Sequence, residues 1–419
     1  MAALEKDGSV IVVGASLAGW RATETLRAEG FTGAISLVGE ELHLPYDRPP
    51  LSKQILAGTW PPEKAVLADR KRSSELAVTE VLGHRAVSLD AASRRVELDD
   101  GDVLTADGVI IATGAAPRHL PGTETLGQAD GLFTLRTLDD ALALRQALTA
   151  TGGARVVVVG AGFIGAEVAS TCATLGCQVT VLEAMDIPLA NVLGPEVGAH
   201  CGSLHGSHGV TLRTGVGVSA VQRANGASGL TIELADGELL AADVVVVGIG
   251  VVPSVDWLAN SGLTVGNGVE CDAGLFAADG VVAAGDVARW TWRHDGSEEQ
   301  IRIEHWQLAA EMGVAAARSL LAGPDATPFK PIPYFWSDQY GIRFQVLGNP
   351  GGTDETVVVE GSFDEGKFVA LYGRAGRLRA VMAIGKPRQL MGYRPLLEAG
   401  TSWDDALAHA ATSSSPTTS

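Results

Sequence analysis

Two segments of the chain, 9–39 and 155–183, repeat the order strand, glycine-rich turn, helix and strand. Runs of apolar β-branched residues predict the strands, and a glycine after each helical stretch predicts its end. The predicted strands are 10–13, 35–38, 156–159 and 179–182, and the predicted helices are 20–29 and 167–175. A strand followed by a glycine turn and a helix is the unit that binds a dinucleotide at the edge of a parallel sheet. The repeat therefore predicts an α/β protein with two Rossmann-like domains.

A second pair of segments supports an internal duplication. Residues 96–114 align with 232–250 without a gap, and nine of the nineteen positions are identical. Each copy predicts a hairpin with an Asp-Gly turn, followed by a buried strand that ends near a glycine. Because both pairs of segments have nearly the same offset along the chain, we infer that one nucleotide-binding unit occurs twice.

The pattern changes near residue 326, where short strand-like runs alternate with glycine-containing turns. Runs at 342–347, 356–359 and 368–371 predict a third, mixed α+β domain. The predicted domains are a discontinuous dinucleotide-binding domain (7–113 and 250–325), a second dinucleotide-binding domain (114–249), a C-terminal α+β domain (326–410) and a disordered tail (411–419).

Charge and composition exclude several classes of function. The formal net charge is −18, which argues against a general affinity for nucleic acid. The longest apolar run, 244–252, is about half the length of a membrane span, and the start MAALEKDG lacks a secretory signal. Four cysteines in 419 residues make no disulfide framework, so a reducing cytoplasm is the expected location.

The second glycine turn is complete, with Gly160, Gly162 and Gly165 in the GxGxxG spacing. The first glycine makes the turn, the second admits a pyrophosphate, and the third lets the helix pack on the strand. Glu183 follows 18 residues after Gly165. A carboxylate at this position accepts hydrogen bonds from a ribose 2′-hydroxyl and repels a 2′-phosphate. No arginine follows it closely, so NAD is favoured over NADP. A purely structural glycine turn is the alternative.

The first glycine turn is less regular, since Ser16 replaces the middle glycine between Gly14 and Gly19. Glu40 follows at the position expected of a ribose-binding acid. Alone this turn would be ambiguous, but beside the second unit it predicts another dinucleotide. A later run, AAGDVA at 283–288, can direct Asp286 toward a polyol chain, although Gly-Asp more often marks only a turn.

Seven motifs together make the chain resemble a known family, the NADH-dependent, FAD-containing ferredoxin reductases of the glutathione-reductase superfamily. These are VGASLAG (13–19), LPYDRPPLSK (44–53), ATGAAPR (112–118), GAGFIGAE (160–167), AAGDVA (283–288), IEHWQ (303–307) and YFWSDQYG (334–341). PYDRPPLSK and FWSDQYG are the most specific to this branch.

The resemblance implies that hydride passes from NADH to flavin N5 and that single electrons then pass to a [2Fe–2S] ferredoxin serving a cytochrome P450 or a ring-hydroxylating dioxygenase. The alternatives are a flavin reductase that serves rubredoxin, a quinone or oxygen, and a binding protein like apoptosis-inducing factor. The acidic charge disfavours the last of these.

The same resemblance implies that the domain of 7–113 and 250–325 binds FAD and that the domain of 114–249 binds NADH, and it implies roles for individual residues. Lys53, Glu167 and Trp306 are expected at the reacting centre, with Lys53 near N5, Trp306 against the isoalloxazine, and Lys53 close enough to interact with Glu167. The remaining FAD-binding residues are expected to be Gly14, Ser16, Ala18, Gly19, Glu40, Arg48, Ala112, Thr113, Gly114, Arg118, Gly285 and Asp286. The NADH-binding residues are expected to be Gly160, Gly162, Phe163, Ile164, Gly165, Glu167, Glu183 and Gly250. No metal site is expected.

Simpler interpretations stay open at several positions. The PYDRPPLSK run could be only a rigid proline loop, and Trp306 could be an ordinary core residue. Leu308 departs from the asparagine usual in the family, and His305 is expected to be a structural neighbour rather than an acid–base catalyst. Cys172 and Cys177 are expected to be packing residues, since the region of the superfamily's redox cysteines, 45–55, holds no cysteine.

The predicted ferredoxin partner calls for local positive charge, because such ferredoxins are usually acidic and so is this chain. A monomer or a homodimer is expected. Six residues are candidates for the docking site: Arg289, Trp290, Trp292, Arg293, Arg302 and Lys330. The tryptophans could equally form a structural hairpin, and the arginines could merely pair with the acids at 295–299.

Overall fold

The computed structural model describes residues 3–150, 152–224, 229–294 and 297–413. Its strands in chain order are β1 (Ser9–Val13), β2 (Ala34–Gly39), β3 (Val78–Leu82), β4 (Ala86–Asp90), β5 (Arg95–Leu98), β6 (Val103–Thr105), β7 (Gly108–Ile111), β8 (Ala115–Pro117), β9 (Leu132–Phe133), β10 (Arg155–Val159), β11 (Gln178–Leu182), β12 (Thr211–Arg213), β13 (Val218–Arg223), β14 (Leu230–Leu234), β15 (Leu239–Ala242), β16 (Val244–Val247), β17 (Val251–Pro253), β18 (Val265–Gly266), β19 (Gly268–Cys271), β20 (Phe276–Ala278), β21 (Val281–Ala283), β22 (Ala288–His294), β23 (Ser297–Ile301), β24 (Tyr334–Gln339), β25 (Ile342–Gly348), β26 (Glu355–Ser362), β27 (Lys367–Arg374) and β28 (Arg377–Ile384).

The α-helices are α1 (Leu17–Ala28), α2 (Arg70–Glu75), α3 (Leu138–Ala150), α4 (Phe163–Thr174), α5 (Ala190–Leu193), α6 (Pro195–Ser207), α7 (Trp306–Ala322), α8 (Pro387–Gly392), α9 (Arg394–Glu398) and α10 (Trp403–Ser413). A single π-helical turn spans Leu51–Ile55. Within the described ranges, none of the helices combines the length and the apolar character that a bilayer crossing requires.

The chain forms two compact units. The first unit comprises Met1–Asp47, Glu63–Ala116 and Val252–Pro333, and the second comprises Arg48–Pro62, Pro117–Val251 and Tyr334–Ser419. The residues of the tail beyond 413 lie outside the described part of the chain.

The first unit is built on a six-stranded sheet with the order β20-β21-β7-β1-β2-β3. All neighbours pair in parallel except the edge strand β20. Apolar runs on the central strands place Val12 and Leu37 in a core without solvent exposure. Two smaller sheets, β4-β5-β6 and β18-β19-β22-β23, complete this unit.

The second unit contains a parallel sheet with the order β12-β11-β10-β16-β9. Its first four strands correspond in order to β3-β2-β1-β7 of the first unit, and the meander β13-β14-β15 corresponds to β4-β5-β6. This shared topology confirms the duplication inferred from the sequence.

The last part of the second unit is an antiparallel sheet, β24-β25-β28-β27-β26, followed by α8 to α10. The predicted strands at 342–347, 356–359 and 368–371 are present as β25, β26 and β27. Phe344 and Met382 from this sheet form one apolar cluster with Leu193 and Val197 from α5 and α6.

Both predicted dinucleotide-binding helices begin earlier than the sequence indicates. Helix α1 starts at Leu17 rather than residue 20, and α4 starts at Phe163 rather than residue 167. The residues directly before them, Ser16 and Gly162, have extended backbone and act as N-caps. The prediction was wrong because residues 17–19 and 163–166, which lie in or directly after the glycine motifs, were assigned to the turns, although they already form the first helical turns.

Candidate active site

The outer glycines of the two turns have matching geometry. Gly14 has φ +122° and Gly160 has φ +103°, so both adopt the left-handed region that other residues rarely enter. A Cβ on Gly19 would lie 2.0 Å from the Gly14 carbonyl oxygen, and a Cβ on Gly165 would lie 2.0 Å from the Gly160 carbonyl oxygen. The turns therefore require glycine at these positions to bring each helix N-terminus against its strand.

The middle position of each turn is not constrained by the protein itself. A Cβ on Gly162 would meet no described atom within 4 Å, and Ser16 occupies the equivalent position with φ −120°. The space beside each turn is the cradle that a pyrophosphate needs, with the positive end of a helix dipole facing it. The residues present thus fit a dinucleotide at both turns.

The two predicted ribose-binding acids lie at the carboxyl ends of β2 and β11. Glu40 is 70% exposed, and its carboxylate is 4.0 Å from the Arg85 guanidinium. Glu183 instead accepts a bond from the Ala161 N–H at 2.8 Å and from the Met185 N–H at 2.9 Å. Each of its oxygens retains a second lone pair. Glu183 can therefore hold the glycine turn and still accept from a ribose hydroxyl.

Further residues predicted to bind FAD surround the first turn. Asp286 lies in a short 3₁₀ turn after β21, and its main-chain carbonyl accepts a bond from Arg302 at 3.0 Å. The Thr113 hydroxyl donates to the Ser254 carbonyl at 2.9 Å, and the Gly114 carbonyl accepts from the Ser254 N–H at 3.0 Å. Ala18, Ala112 and Gly285 are buried nearby in the first unit.

Trp306 begins α7 and is half-buried, unlike the core residue Trp20, which is 1% exposed. Its indole N–H donates to Asp47 at 2.8 Å. Burial raises the pKa of Asp47, and the bond from Trp306 and the charge of Arg21 oppose that rise. The arrangement disfavours the alternative that Trp306 is plain core. Leu308, by contrast, is a core residue with 1% exposure.

Several predicted residues lie in the second unit. Arg118 is exposed, and its main-chain N–H donates to the Gly250 carbonyl at 2.9 Å. The Arg48 guanidinium donates to the Arg136 carbonyl. At the start of α4, Ile164 is 51% exposed, whereas the Phe163 ring packs edge-on against Phe335 at 5.0 Å between centroids.

Lys53 and Glu167 form a largely buried ion pair, so the predicted contact between them is present. The Lys53 ammonium lies 2.7 Å from Oε2 of Glu167, and the side chains are 13% and 3% exposed. Lys53 belongs to the π-helical turn and Glu167 to the second turn of α4. Such π-helical turns occur frequently at functional sites. The PYDRPPLSK run is thus more than a rigid proline loop.

The Glu167 carboxylate accepts three further hydrogen bonds. The Ser52 hydroxyl donates to Oε2 at 2.6 Å, while Oε1 accepts from the Ser337 hydroxyl at 2.7 Å and from the Asp338 N–H at 3.1 Å. These donors compensate for the desolvation of a buried charge. Sequence reasoning missed Ser52 and Ser337, although both lie within motifs that it had singled out.

The cysteines offer no redox centre among the described residues. All four are free thiols, and Cys172, Cys201 and Cys271 are buried. Burial raises the pKa of Cys172 and of Cys177, which suppresses the reactive thiolate. The expectation that Cys172 and Cys177 are packing residues is confirmed. Burial likewise lowers the pKa of His305 to about 4, which fits the structural role predicted for it.

The structure corrects the predicted docking residues. Trp290 and Trp292 are 0% and 2% exposed, and the Trp292 indole donates to the Pro331 carbonyl at 3.2 Å. They cannot be surface anchors, because β22 places both on its buried face. The structural hairpin, formed by β22 and β23, is the correct alternative.

The candidate arginines of this region are paired with acids. Arg289 contacts Glu270 at 3.0 Å, Arg293 contacts Glu298 at 2.6 Å, and Arg302 contacts Glu304 at 2.6 Å. Arg302 is only 10% exposed, whereas Lys330 is exposed. These three arginines therefore do not form a block of unopposed positive charge. The Arg293 contact lies within the acidic stretch 295–299, whereas the contacts given for Arg289 and Arg302 lie outside it.

One cluster had no counterpart in the sequence analysis. The Tyr340 hydroxyl lies 2.6 Å from Nδ1 of His205, and the His208 ring stacks on Tyr340 at 4.5 Å. Burial and the neighbouring His208 lower the pKa of His205 to about 4. The cluster links α6 to the turn between β24 and β25.

Comparison with known proteins gives matches over nearly the whole chain. Residues 8–313 match the family model described as pyridine nucleotide-disulphide oxidoreductase, and residues 334–414 match the model described as reductase C-terminal. Rhodocoxin reductase of Rhodococcus erythropolis is 37% identical over 93% of this chain and 89% of its own length. The ferredoxin reductase component of chlorobenzene dioxygenase from Cupriavidus sp. (strain PS12) is also 37% identical, over 93% of this chain and 92% of its own.

A solved structure shows the same fold. In the covalent putidaredoxin reductase–putidaredoxin complex, one chain is 30% identical, with a TM-score of 0.89, and the match covers 97% of this chain and 99% of that one. The likeness includes the C-terminal sheet as well as both parallel sheets.

Proposed function

The chain belongs to the pyridine nucleotide-disulphide oxidoreductase family, and from that premise we propose that it is an NADH-dependent ferredoxin reductase. One observation carries the proposal: two parallel sheets in one chain each present a turn with the same outer glycines at a helix N-terminus, followed by an acid. A chain that binds two dinucleotides in this way is suited to pass electrons from one to the other. The relatives' names supply the acceptor, a ferredoxin.

The cofactors are FAD and NADH. We propose that FAD binds at the turn of Gly14 and Ser16, with Glu40, Asp286 and Trp306 as further contacts. NADH binds at the turn of Gly160, Gly162 and Gly165, with Glu183 at its ribose. When bound, FAD supplies the chemistry of the reaction, because it accepts a hydride and releases electrons one at a time.

The side chains of this protein position and stabilise the reactants. Lys53, held by Glu167, supplies positive charge to the bound flavin, as the resemblance implies. The exposed Ile164 offers an apolar contact to the nicotinamide end of NADH. Glu183 selects NADH because its carboxylate would repel a 2′-phosphate.

We propose that the acceptor is a [2Fe–2S] ferredoxin that serves a cytochrome P450 or a ring-hydroxylating dioxygenase in the cytoplasm. The buried cysteines support this proposal, because a disulfide reductase needs a reactive pair beside its flavin. Arg293 and Lys330 are the docking candidates with exposed positive groups, and Arg289 is partly exposed. The enzyme acts as a monomer or a homodimer.

Steady-state turnover tests this function. The purified, FAD-loaded protein should reduce ferricyanide with NADH much faster than with NADPH. Adding a purified [2Fe–2S] ferredoxin with cytochrome c as the final acceptor should give NADH-dependent cytochrome c reduction that saturates with ferredoxin. Equal use of both coenzymes would contradict the role of Glu183, and ferricyanide turnover without any ferredoxin-dependent reduction would contradict the acceptor.

A charge reversal tests the docking candidates. Arg293→Glu should raise the KM for ferredoxin and weaken its salt dependence, while ferricyanide turnover stays unchanged. Arg155→Glu is a matched control, because Arg155 is also an exposed arginine in an ion pair. Arg155 and its partner Asp243 both belong to the second unit, whereas Arg293 belongs to the first. Unchanged ferredoxin kinetics in Arg293→Glu would place the docking site elsewhere.

A further inference from the structure

The segment FWSDQYG, residues 335–341, is specific in sequence but has no role in the proposed function. Most of it forms strand β24, in which side chains alternate between two faces. Ser337 and Gln339 share the buried face and are each 1% exposed. Two buried polar side chains at adjacent positions of one face require partners, and those partners show what the segment does.

The partners form a directed chain of hydrogen bonds. The Gln339 amide donates to the Ser337 hydroxyl oxygen at 3.1 Å, and the Ser337 hydroxyl donates to Oε1 of Glu167 at 2.7 Å. A serine hydroxyl has a single hydrogen. Because its oxygen accepts from Gln339, that hydrogen is directed at Glu167. The Asp338 N–H, at 3.1 Å, holds the same carboxylate oxygen.

The two oxygens of Glu167 therefore accept hydrogen bonds from different elements of the fold. Oε1 is bound by β24, through Ser337 and the backbone of Asp338, while Oε2 is bound by the π-helical turn, through Ser52 and Lys53. The Asp338 carboxylate does not compete, because it is paired with Arg343 at 2.7 Å. Fixing Oε1 leaves the carboxylate one orientation, in which Oε2 faces the Lys53 ammonium.

We propose that Ser337, supported by Gln339, is a positioning residue that orients Glu167 and thereby fixes the ammonium of Lys53. This role gives the C-terminal sheet a part in the reaction, since β24 would set the position of a charge on the π-helical turn. The contacts stand independently of the cofactor, and only the effect on FAD rests on the proposed function.

The test compares two serines that both link α4 to the segment. Ser337→Ala removes a donor to Glu167. Ser170→Ala is the matched control, because the Ser170 hydroxyl accepts from the Tyr340 N–H at 2.8 Å and donates no bond to Glu167 among the described contacts. Ser337→Thr retains the hydroxyl and should behave as the unmodified protein does.

The first readout is the labelling rate of Lys53 by an amine-reactive ester, measured by peptide mass spectrometry on the FAD-loaded protein. A tenfold change in labelling rate corresponds to about 1.4 kcal/mol, which is close to the lower end of what a hydrogen bond to a charged group contributes. We therefore expect Ser337→Ala to be labelled about tenfold faster, with Ser170→Ala and Ser337→Thr unchanged. Labelling of Ser337→Ala at the unmodified rate, or an equal rise in Ser170→Ala, overturns the proposal.

The second readout is the midpoint potential of the bound FAD, which should fall in Ser337→Ala in the same direction as in Lys53→Met. If Lys53→Met does not change the midpoint potential of FAD, the proposed role of Lys53 at the flavin is contradicted. The labelling rate of Lys53 still decides whether Ser337 positions Glu167. If Ser337→Ala does not fold, Gln339→Leu takes its place, and faster labelling of Lys53 supports the proposal whereas an unchanged rate overturns it.

Discussion

The buried ion pair should respond asymmetrically to neutral substitution of its two members. Glu167 is 3% exposed and Lys53 13% exposed, so Glu167→Gln leaves the mostly buried Lys53 ammonium without a carboxylate partner. The new amide N–H group would also face the groups that donate to Glu167. Removing one partner of a buried pair costs about 3–5 kcal/mol. Lys53→Met leaves the carboxylate with its neutral donors Ser52, Ser337 and the Asp338 N–H, so we expect a cost of about 1–2 kcal/mol.

Thermal unfolding of the FAD-loaded variants measures this difference. A change of 1 kcal/mol shifts Tm by about 2–4 °C in a unit of this size, so Glu167→Gln should lower Tm by about 6–20 °C and Lys53→Met by about 2–8 °C. The double variant should lose less than the sum of the two, by about 0.5–3 kcal/mol. Arg155→Met, which breaks an ion pair with 47% and 34% exposed side chains in the same unit, is the control and should change Tm little. Equal losses in the two single variants, or a strictly additive double variant, would refute the reasoning.

Three further outcomes follow from the structure. Glu183→Ala should reduce the preference for NADH over NADPH in steady-state kinetics. It should also lower Tm, because Glu183 accepts bonds from two backbone N–H groups. An unchanged ratio of NADH to NADPH turnover would contradict the role of Glu183 in coenzyme selection. Gly162→Ala should fold normally but bind NADH more weakly by fluorescence titration, whereas Gly165→Ala should lose folded protein, since its Cβ would lie 2.0 Å from a carbonyl oxygen. The pKa of His205 is lowered to about 4, so the unfolded chain binds its proton first and stability is lost as the pH falls from about 6.5 toward 4. His205→Gln should reduce that loss when Tm is followed across this pH range, and an identical pH dependence would contradict it.

Local pattern was sufficient to predict the parallel sheets and the glycine turns. The strands around Val12 and Val158 have continuous apolar runs, and the turns that follow them have a fixed glycine spacing, so both signals lie within a few residues of the chain. The start of α4 was placed four residues late, because residues 163–166 lie in or directly after the glycine motif and were assigned to the turn, although they already form the first helical turn.

The contacts around Glu167 could not be derived from spacing. Lys53 and Glu167 are 114 residues apart, and Ser337 follows 170 residues after Glu167. The ion pair was expected only through the family resemblance, and a serine that donates to a distant carboxylate has no distinctive sequence pattern. For Trp290 and Trp292 the local pattern was informative but incomplete. Alternation along a strand places both side chains on one face, but the sequence does not reveal that this face is buried.

The two copies of the duplicated unit show how the same fold acquired different chemistry. Helix position 21 of the first copy corresponds to position 167 of the second at the offset of the repeat. Arg21 has a 40% exposed side chain in contact with Glu24, and its charge opposes the rise that burial causes in the pKa of Asp47, which holds Trp306. Glu167 carries the opposite charge and is buried. The parallel sheet and glycine turn are the same in both, so the difference comes from what covers each helix. In the second copy, the π-helical turn and β24 supply the donors that make a buried carboxylate possible.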